Sequence, residues 1–400
     1  VLVVGPAWMD ELERRAQRRG PDVHRQEVVA ALRRGLPIFV TLVDDAKPLD
    51  SARLPRNLKR LGDLEAQPLP RKGFMRHVPL LIEDVLAVLR PHNRDGAPAE
   101  APRTVTVAEY GDADFLEIAE AVAAVPPGST VLVRPGHYVD AVVIHHQVQL
   151  VGQPDGDEQV VLEVAESPAL SIRAERARVE GLHVVCTAPT DAVAIEVTGG
   201  RPVIEDCDVS ARGHEGSIGI SVHGDGAEPI VRACRAHDVH TGVRIRARAA
   251  GRYDDLDVEA TQAGVAVDGS ADPVVHGSRV RGGVTGVLVG EGGEGTFEAL
   301  EIRGASEHAV KVDAANPTFR ETTIAEVGHH ALDILGASTG TYDRLRVDAR
   351  HDGIYVAGGS MPTVRATTVF GGAGCGIVVD EKSAARFVDC DVAGSAKHGV

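Results

Sequence analysis

Five side chains able to bind a transition metal recur at a constant step near the end of the sequence: His308, His330, Asp352, Cys375 and His398. Imidazole, carboxylate and thiolate are all first-row metal donors. Stacking of the segments that carry them would set the five in a line, about 4.8 Å apart. The simpler expectation is a polar ladder at a corner of the fold, hydrogen-bonded to turn backbone, and no metal is assigned. His145 and His146 are adjacent in sequence and so face opposite sides of a strand, which disfavours a joint site.

Acid and base pairs of the kind sugar chemistry requires do not stand out. Asp206, Asp208, Asp238, Asp254, Asp255 and Asp257 fall mostly at turn positions, where the carboxylate satisfies local backbone. Saccharide grooves favour exposed aromatic platforms, whereas Tyr253, Phe297, Phe319, Tyr342 and Phe387 occupy one core column.

The elements that would position these residues form a repeat. A small residue followed by apolar-x-apolar recurs from Ala194 through Gly219, Gly242, Gly264, Gly286, Ala309, Ala331, Gly353 and Gly376 to Gly399. Successive steps are 25, 23, 22, 22, 23, 22, 22, 23 and 23 residues, a period too regular for chance. Each unit holds two more short apolar elements, the first often opened by proline, as at Pro229, Pro273, Pro317 and Pro362. Three short strands per unit make a coil that cannot bury its own apolar face and must stack on its neighbours. Pro and Gly breaks leave no room for a helical repeat.

Residues 1–90 have an α/β rhythm instead. An apolar strand over Val1–Val4 ends at Gly5-Pro6, and a charged helix is expected over Asp10–Arg19. A second helix is expected from Asp22 to about Arg34, a buried strand over Ile38–Val43 and an amphipathic helix over Val78–Arg90. Residues 91–104 read as a linker, with prolines and mixed charge but no apolar period. Residues 105–400 are then the coil region, opened by a helix that carries Phe115, Ile118, Val122 and Val125.

Lys and Arg total 42 against 58 Asp and Glu, a net charge of −16 that opposes a phosphate backbone, so no nucleic acid partner is expected. No apolar run reaches the ~20 residues of a membrane helix, and no membrane partner is expected. The five cysteines, Cys186, Cys207, Cys234, Cys375 and Cys390, form no CxxC pair and no obvious disulfide framework. A cytoplasmic setting is the expectation.

The coil region resembles the right-handed parallel β-helix proteins of the pectin-lyase-like superfamily. VAEYGDADFLEIAEAVAAVPPGSTVLVRPGHY, Val107 to Tyr138, is similar to that superfamily's opening segment, in which a helix caps the coil. The resemblance implies a mainly β, right-handed single-stranded parallel β-helix, to which the repeat gives about 22–23 residues per coil. Its members include lyases, esterases, epimerases, tail proteins and scaffolds, so it implies no single activity.

Residues 1–90 resemble the C-terminal half of a bacterial TIR (Toll/interleukin-1 receptor) domain, of flavodoxin-like α/β type. The carrying segments are VLVVGPAW, DVHRQEVVAALRRGLP, IFVTLVDDA and LPRNLKRL. The family's first half is missing, so the chain is expected to begin inside that domain and to stop within a coil. The resemblance implies self-association with other TIR domains and, in an intact assembly, NAD hydrolysis. Glu27 matches the carboxylate beside the nicotinamide ribose, with a solvated helix-face ion pair as the other reading. Trp8 matches an aromatic at a strand end, either a nucleotide contact or a packed anchor. NAD would be substrate, with no cofactor, and these residues alone would be inactive. The resulting expectation is a TIR signalling or effector protein whose β-helix recognises an unidentified ligand or partner. The alternatives are a polysaccharide-modifying enzyme and a non-catalytic scaffold.

Overall fold

The computed structural model describes residues 2–16, 28–29, 38–43, 46–69 except 52, 56, 57, 63 and 65, and 101–400 except 213, 214 and 381. Their contacts fall into two units, Val1–Ala99 and Glu100–Val400.

In the first unit, strands β1 (Leu2–Val4), β2 (Val40–Val43) and β3 (Ala66–Leu69) pair in that order, all parallel. Helix α1 (Trp8–Ala16) begins two residues before the charged run predicts. The turn at Gly5-Pro6 already sets its first hydrogen bonds, Trp8 N–H to Gly5 and Glu11 N–H to Ala7. Val4, Leu12, Val40, Leu42, Leu54 and Leu58 form a small core. The helices expected over Asp22–Arg34 and Val78–Arg90, and most of the linker, lie outside the described residues.

The second unit opens with β4 (Thr104–Val107), α2 (Ile118–Ala124), β5 (Ser129–Val133) and β6 (Gly136–Tyr138). Helix α2 buries Ile118, Ala121 and Val122 on the first coils. It stops at Val125, which is extended, as the residue before a proline must be. Beyond it the chain winds as a parallel β-solenoid of three strands per coil. The second strands of successive coils form a 13-stranded parallel sheet in unbroken chain order. First and third strands make a 21-stranded sheet. At Arg235–Arg246 and Asp257–Val267 a third strand runs directly into the next first strand.

Register follows the repeat. Ile195, Ile220, Val243, Val265, Val287, Val310, Leu332, Ile354 and Ile377 occupy one inward column. In the second-strand sheet Phe297, Phe319 and Tyr342 stack, with ring centroids 4.5 and 5.8 Å apart and planes within 10°. Tyr253 lies in the same column, two coils before Phe297.

The turn between second and third strands rests on one left-handed residue per coil. Asp206, Ala233, Asp255, Ala299, Glu321, Arg344, Ala366 and Asp389 hold φ between 46° and 54°. The N–H groups of the first seven donate to a carbonyl at the same turn of the next coil, or at the end of its second strand, for example Glu321 to Asp343 and Arg344 to Arg365. That ladder offsets the cost of left-handed backbone without glycine. Asp206 and Asp255 are therefore turn residues as expected, whereas Asp208, Asp254 and Asp257 lie on strands and pair with basic side chains. The carboxylates went astray because strand ends and turns alternate every few residues in so short a coil.

Candidate functional site

The column anticipated from the sequence stacks: Thr241 pairs with Ala263, Ala263 with Thr285, Thr285 with His308 and His330 with Asp352. These residues head the first strands, at the corner where each third strand turns into the next coil. At two coils that corner is a two-residue turn, Gly328-His329 and Arg350-His351, which adds imidazoles the column did not include. Gly328 donates to the Ala305 carbonyl and His329 to that of Glu307. A Cβ at Gly328 would fall onto the Ser306 carbonyl, so the turn stacks this closely on its neighbour because position 328 is glycine.

The result is a cluster of four imidazoles and two carboxylates. The ring of His329 stacks on His351 at 5.4 Å and 9°, and lies 4.0 Å from His330. His330 in turn stacks on Tyr355 at 4.5 Å. Asp333, 4% exposed, sits between the buried Leu332 and Ile334 but points outward. Its Oδ2 lies 3.7 Å from His308 Nε2 and its Oδ1 3.4 Å from His330 Nδ1. On the other side His330 Nε2 is 3.4 Å from Asp352 Oδ2.

Asp352 is held from the coil beyond, its Oδ1 accepting a 2.7 Å hydrogen bond from the Cys375 N–H. Its Oδ2 lies 3.1 Å from Nδ1 of the half-exposed His351. Burial works against charge on Asp352, but the Cys375 N–H and the two imidazoles outweigh it and hold the carboxyl below its ordinary range. Burial pushes His308 below the ordinary imidazole range despite the pull of Asp333.

Two expected members do not join. Cys375 contributes its backbone N–H, and His398 is exposed. The residues missed were His329, His351, Asp333 and Tyr355. For His329 and His351 a signal was present, since the pairs His329-His330 and His351-Asp352 are separated by one period. His145 and His146 sit in the turn after the strand Val142–Ile144, not within a strand.

Next to this corner the outward residues of the first strands, Leu288, Lys311, Asp333 and Tyr355, continue in register. A recess of about 410 Å³ opens beside them, lined by Ala266, Leu288, Lys311, Asp268, Glu291 and Asp313. A second group, His183, Asp208 and His237, lies on the third strands, with His237 Nε2 2.9 Å from Asp208 Oδ1. In the other unit Trp8 opens α1 and packs against the small core. Glu27 lies outside the described residues.

Residues 263–400 match the family described as right handed beta helix region, a stretch that includes the whole histidine corner. No curated protein matches the chain. Solved structures similar to it include a pectate lyase, Pel9A, at 12% identity over 76% of this chain and 82% of that one, TM-score 0.46. The pectin methylesterase PemA from Erwinia chrysanthemi aligns at 14% identity over 55% and 89%, TM-score 0.39. The A-module of the Azotobacter vinelandii mannuronan C-5 epimerase AlgE6 aligns at 15% over 69% and 92%, TM-score 0.39. At these identities the likeness is one of fold. The family match lies within the solenoid and does not reach residues 1–90, so the TIR resemblance stays a reading of the sequence.

Proposed function

We propose that the first-strand face of the solenoid binds and modifies an extended saccharide, with His351 moving the proton and Asp352 orienting it. The Asp352–His351 pair carries this reading. A carboxylate pinned by the Cys375 N–H stands 3.1 Å from Nδ1 of a half-exposed imidazole. That arrangement sets a carboxylate beside Nδ1 and leaves Nε2 for a substrate hydroxyl or a carbon acid. The neighbouring face supports it: Lys311 offers a cation for an acidic sugar, and Tyr355 is one aromatic outside the core column. The test is incubation with a panel of uronate-containing and esterified polysaccharides, reading unsaturated products, released ester groups and reducing ends. Turnover in one readout, lost in His351→Ala, is expected. No turnover on any substrate, or turnover indifferent to His351→Ala and Asp352→Asn, overturns it.

A second reading concerns residues 1–90, as a TIR-like effector segment that self-associates and hydrolyses NAD. What supports it is the three-stranded parallel sheet in the order β1-β2-β3, with α1 following β1. Nicotinamide release at high protein concentration, with any native sequence upstream of Val1 included, tests it. Release abolished by Glu27→Ala is expected, and none under any assembling condition rejects it.

A further inference from the structure

We propose that His308, His329 and His330 bind a divalent transition metal of the zinc class, leaving part of its coordination sphere open to solvent. The three residues each offer a ring nitrogen within 4.8 Å of the others, near enough to share one ion after small rotamer adjustments. They come from two successive coils. His308 and His330 head adjacent first strands, and His329 projects from the turn that joins third strand to first. The β ladder thus fixes two of the ligands, and the stacked turn fixes the third.

The buried polar groups of this corner are short of partners. His308 is 8% exposed and Asp333 4% exposed. Among the described residues neither His308 Nδ1, His330 Nδ1 nor Asp333 Oδ1 has a hydrogen-bond partner. Lys311, the register partner of Asp333, makes no ion pair with it among the described residues. A buried carboxylate facing imidazoles without a well-formed hydrogen bond is costly. An ion on the imidazoles removes that cost: Asp333, 3.7 Å from His308 Nε2 and 3.4 Å from His330 Nδ1, then stands as the anion beside a metal-bound histidine. Imidazole donors with carboxylates behind them select zinc, cobalt, nickel or copper over calcium or magnesium, which prefer all-oxygen sites.

Burial sets the character of the site. His308 and His330 are shielded, whereas His329 is exposed, so one side of a bound ion faces water. Three protein ligands and an open position are the coordination of a site that binds or activates a small ligand rather than one that only holds a fold together. The proposal goes beyond the saccharide reading, because the ligands are distinct from His351 and Asp352 and a metal there is measurable without any substrate.

The test is titration of the metal-stripped full chain with Co²⁺, followed by its d–d absorption, and with Zn²⁺ by calorimetry. Expected is one ion per chain, with affinity weakened by about tenfold or more in His329→Ala and in His330→Gln. His237→Ala, in the other histidine group, leaves the affinity unchanged. Should His330→Gln fail to fold, His329→Ala is read alone, since its side chain is exposed. Absence of stoichiometric binding by the wild type overturns the proposal. So does binding that survives His329→Ala, or that is lost in His237→Ala.

Discussion

The carboxylate of Asp352 and the backbone N–H of Cys375 are joined across adjacent coils by a 2.7 Å hydrogen bond, and Gly374, the residue before Cys375, lies directly against that carboxylate. A Cβ at position 374 would fall onto Asp352 Oδ1. Gly374→Ala is therefore expected to push the carboxylate off the Cys375 N–H and away from His351. The cost should be about 1–3 kcal/mol, as for other overpacked buried positions. Urea denaturation measures it. A midpoint equal to the wild type would mean that the coil absorbs the methyl group and that Asp352 is not locked in place.

Tyr253 and Tyr342 share a core column but differ in the fate of their hydroxyls. Tyr253 donates to the Ala250 carbonyl at 3.1 Å, whereas the Tyr342 hydroxyl is buried with no partner among the described residues. Removing a satisfied hydroxyl loses about 1 kcal/mol, and removing an unsatisfied buried one relieves a desolvation cost of similar size. Tyr253→Phe should lower stability and Tyr342→Phe should raise it. Equal losses in thermal melts of both variants would show that Tyr342 does find a partner in solution.

The solenoid was legible because its determinants are local and periodic. One apolar residue per coil at constant spacing specifies the inward column from Ile195 to Ile377, and stacking follows from the need to cover it. The aromatic column was legible for the same reason. The site was half legible. His308, His330 and Asp352 share the phase of the repeat and could be aligned by subtraction. His329 belongs to a turn that Gly328 lets lie close on Ser306, and His351 to the turn one coil on; the apolar period does not encode where such turns project. Asp333 was hidden because an outward strand position is ordinarily solvated, and here it is buried with the imidazoles of His308 and His330 beside it.

Phe319 tests how local the stability of the stack is. It is fully buried between Phe297 and Tyr342, with rings nearly parallel on both sides. Phe319→Ala should cost about 3–5 kcal/mol, the usual range for a buried phenylalanine. In a solenoid each coil touches its neighbours alone, so the loss should appear as hydrogen exchange concentrated within one or two coils of residue 319. Uniform acceleration from β4 to Asp391–Ala393 would instead show that the coils unfold as one cooperative unit.

Mild acid should weaken the solenoid through His183. Its ring faces Asp208, Glu163, His237 and Arg212, and burial is the leading influence, pushing the imidazole below its ordinary value of 6.5 in spite of the carboxylates. Its Nε2 is buried without a hydrogen-bond partner among the described residues. Above pH 6.5 the group is neutral in both folded and unfolded chains and contributes no pH dependence. As the pH falls below 6.5, the unfolded chain takes up the proton first. Stability therefore drops between that value and the lower folded one, and levels off beneath it. His308 is shifted in the same direction, so the wild-type loss combines both residues. Melting temperatures should be flat from pH 8 to 7 and fall as the pH drops below about 6.5. His183→Gln should flatten part of that slope. A variant whose slope matches the wild type would mean that Asp208 compensates the buried charge fully, leaving His183 free to protonate in the folded coil.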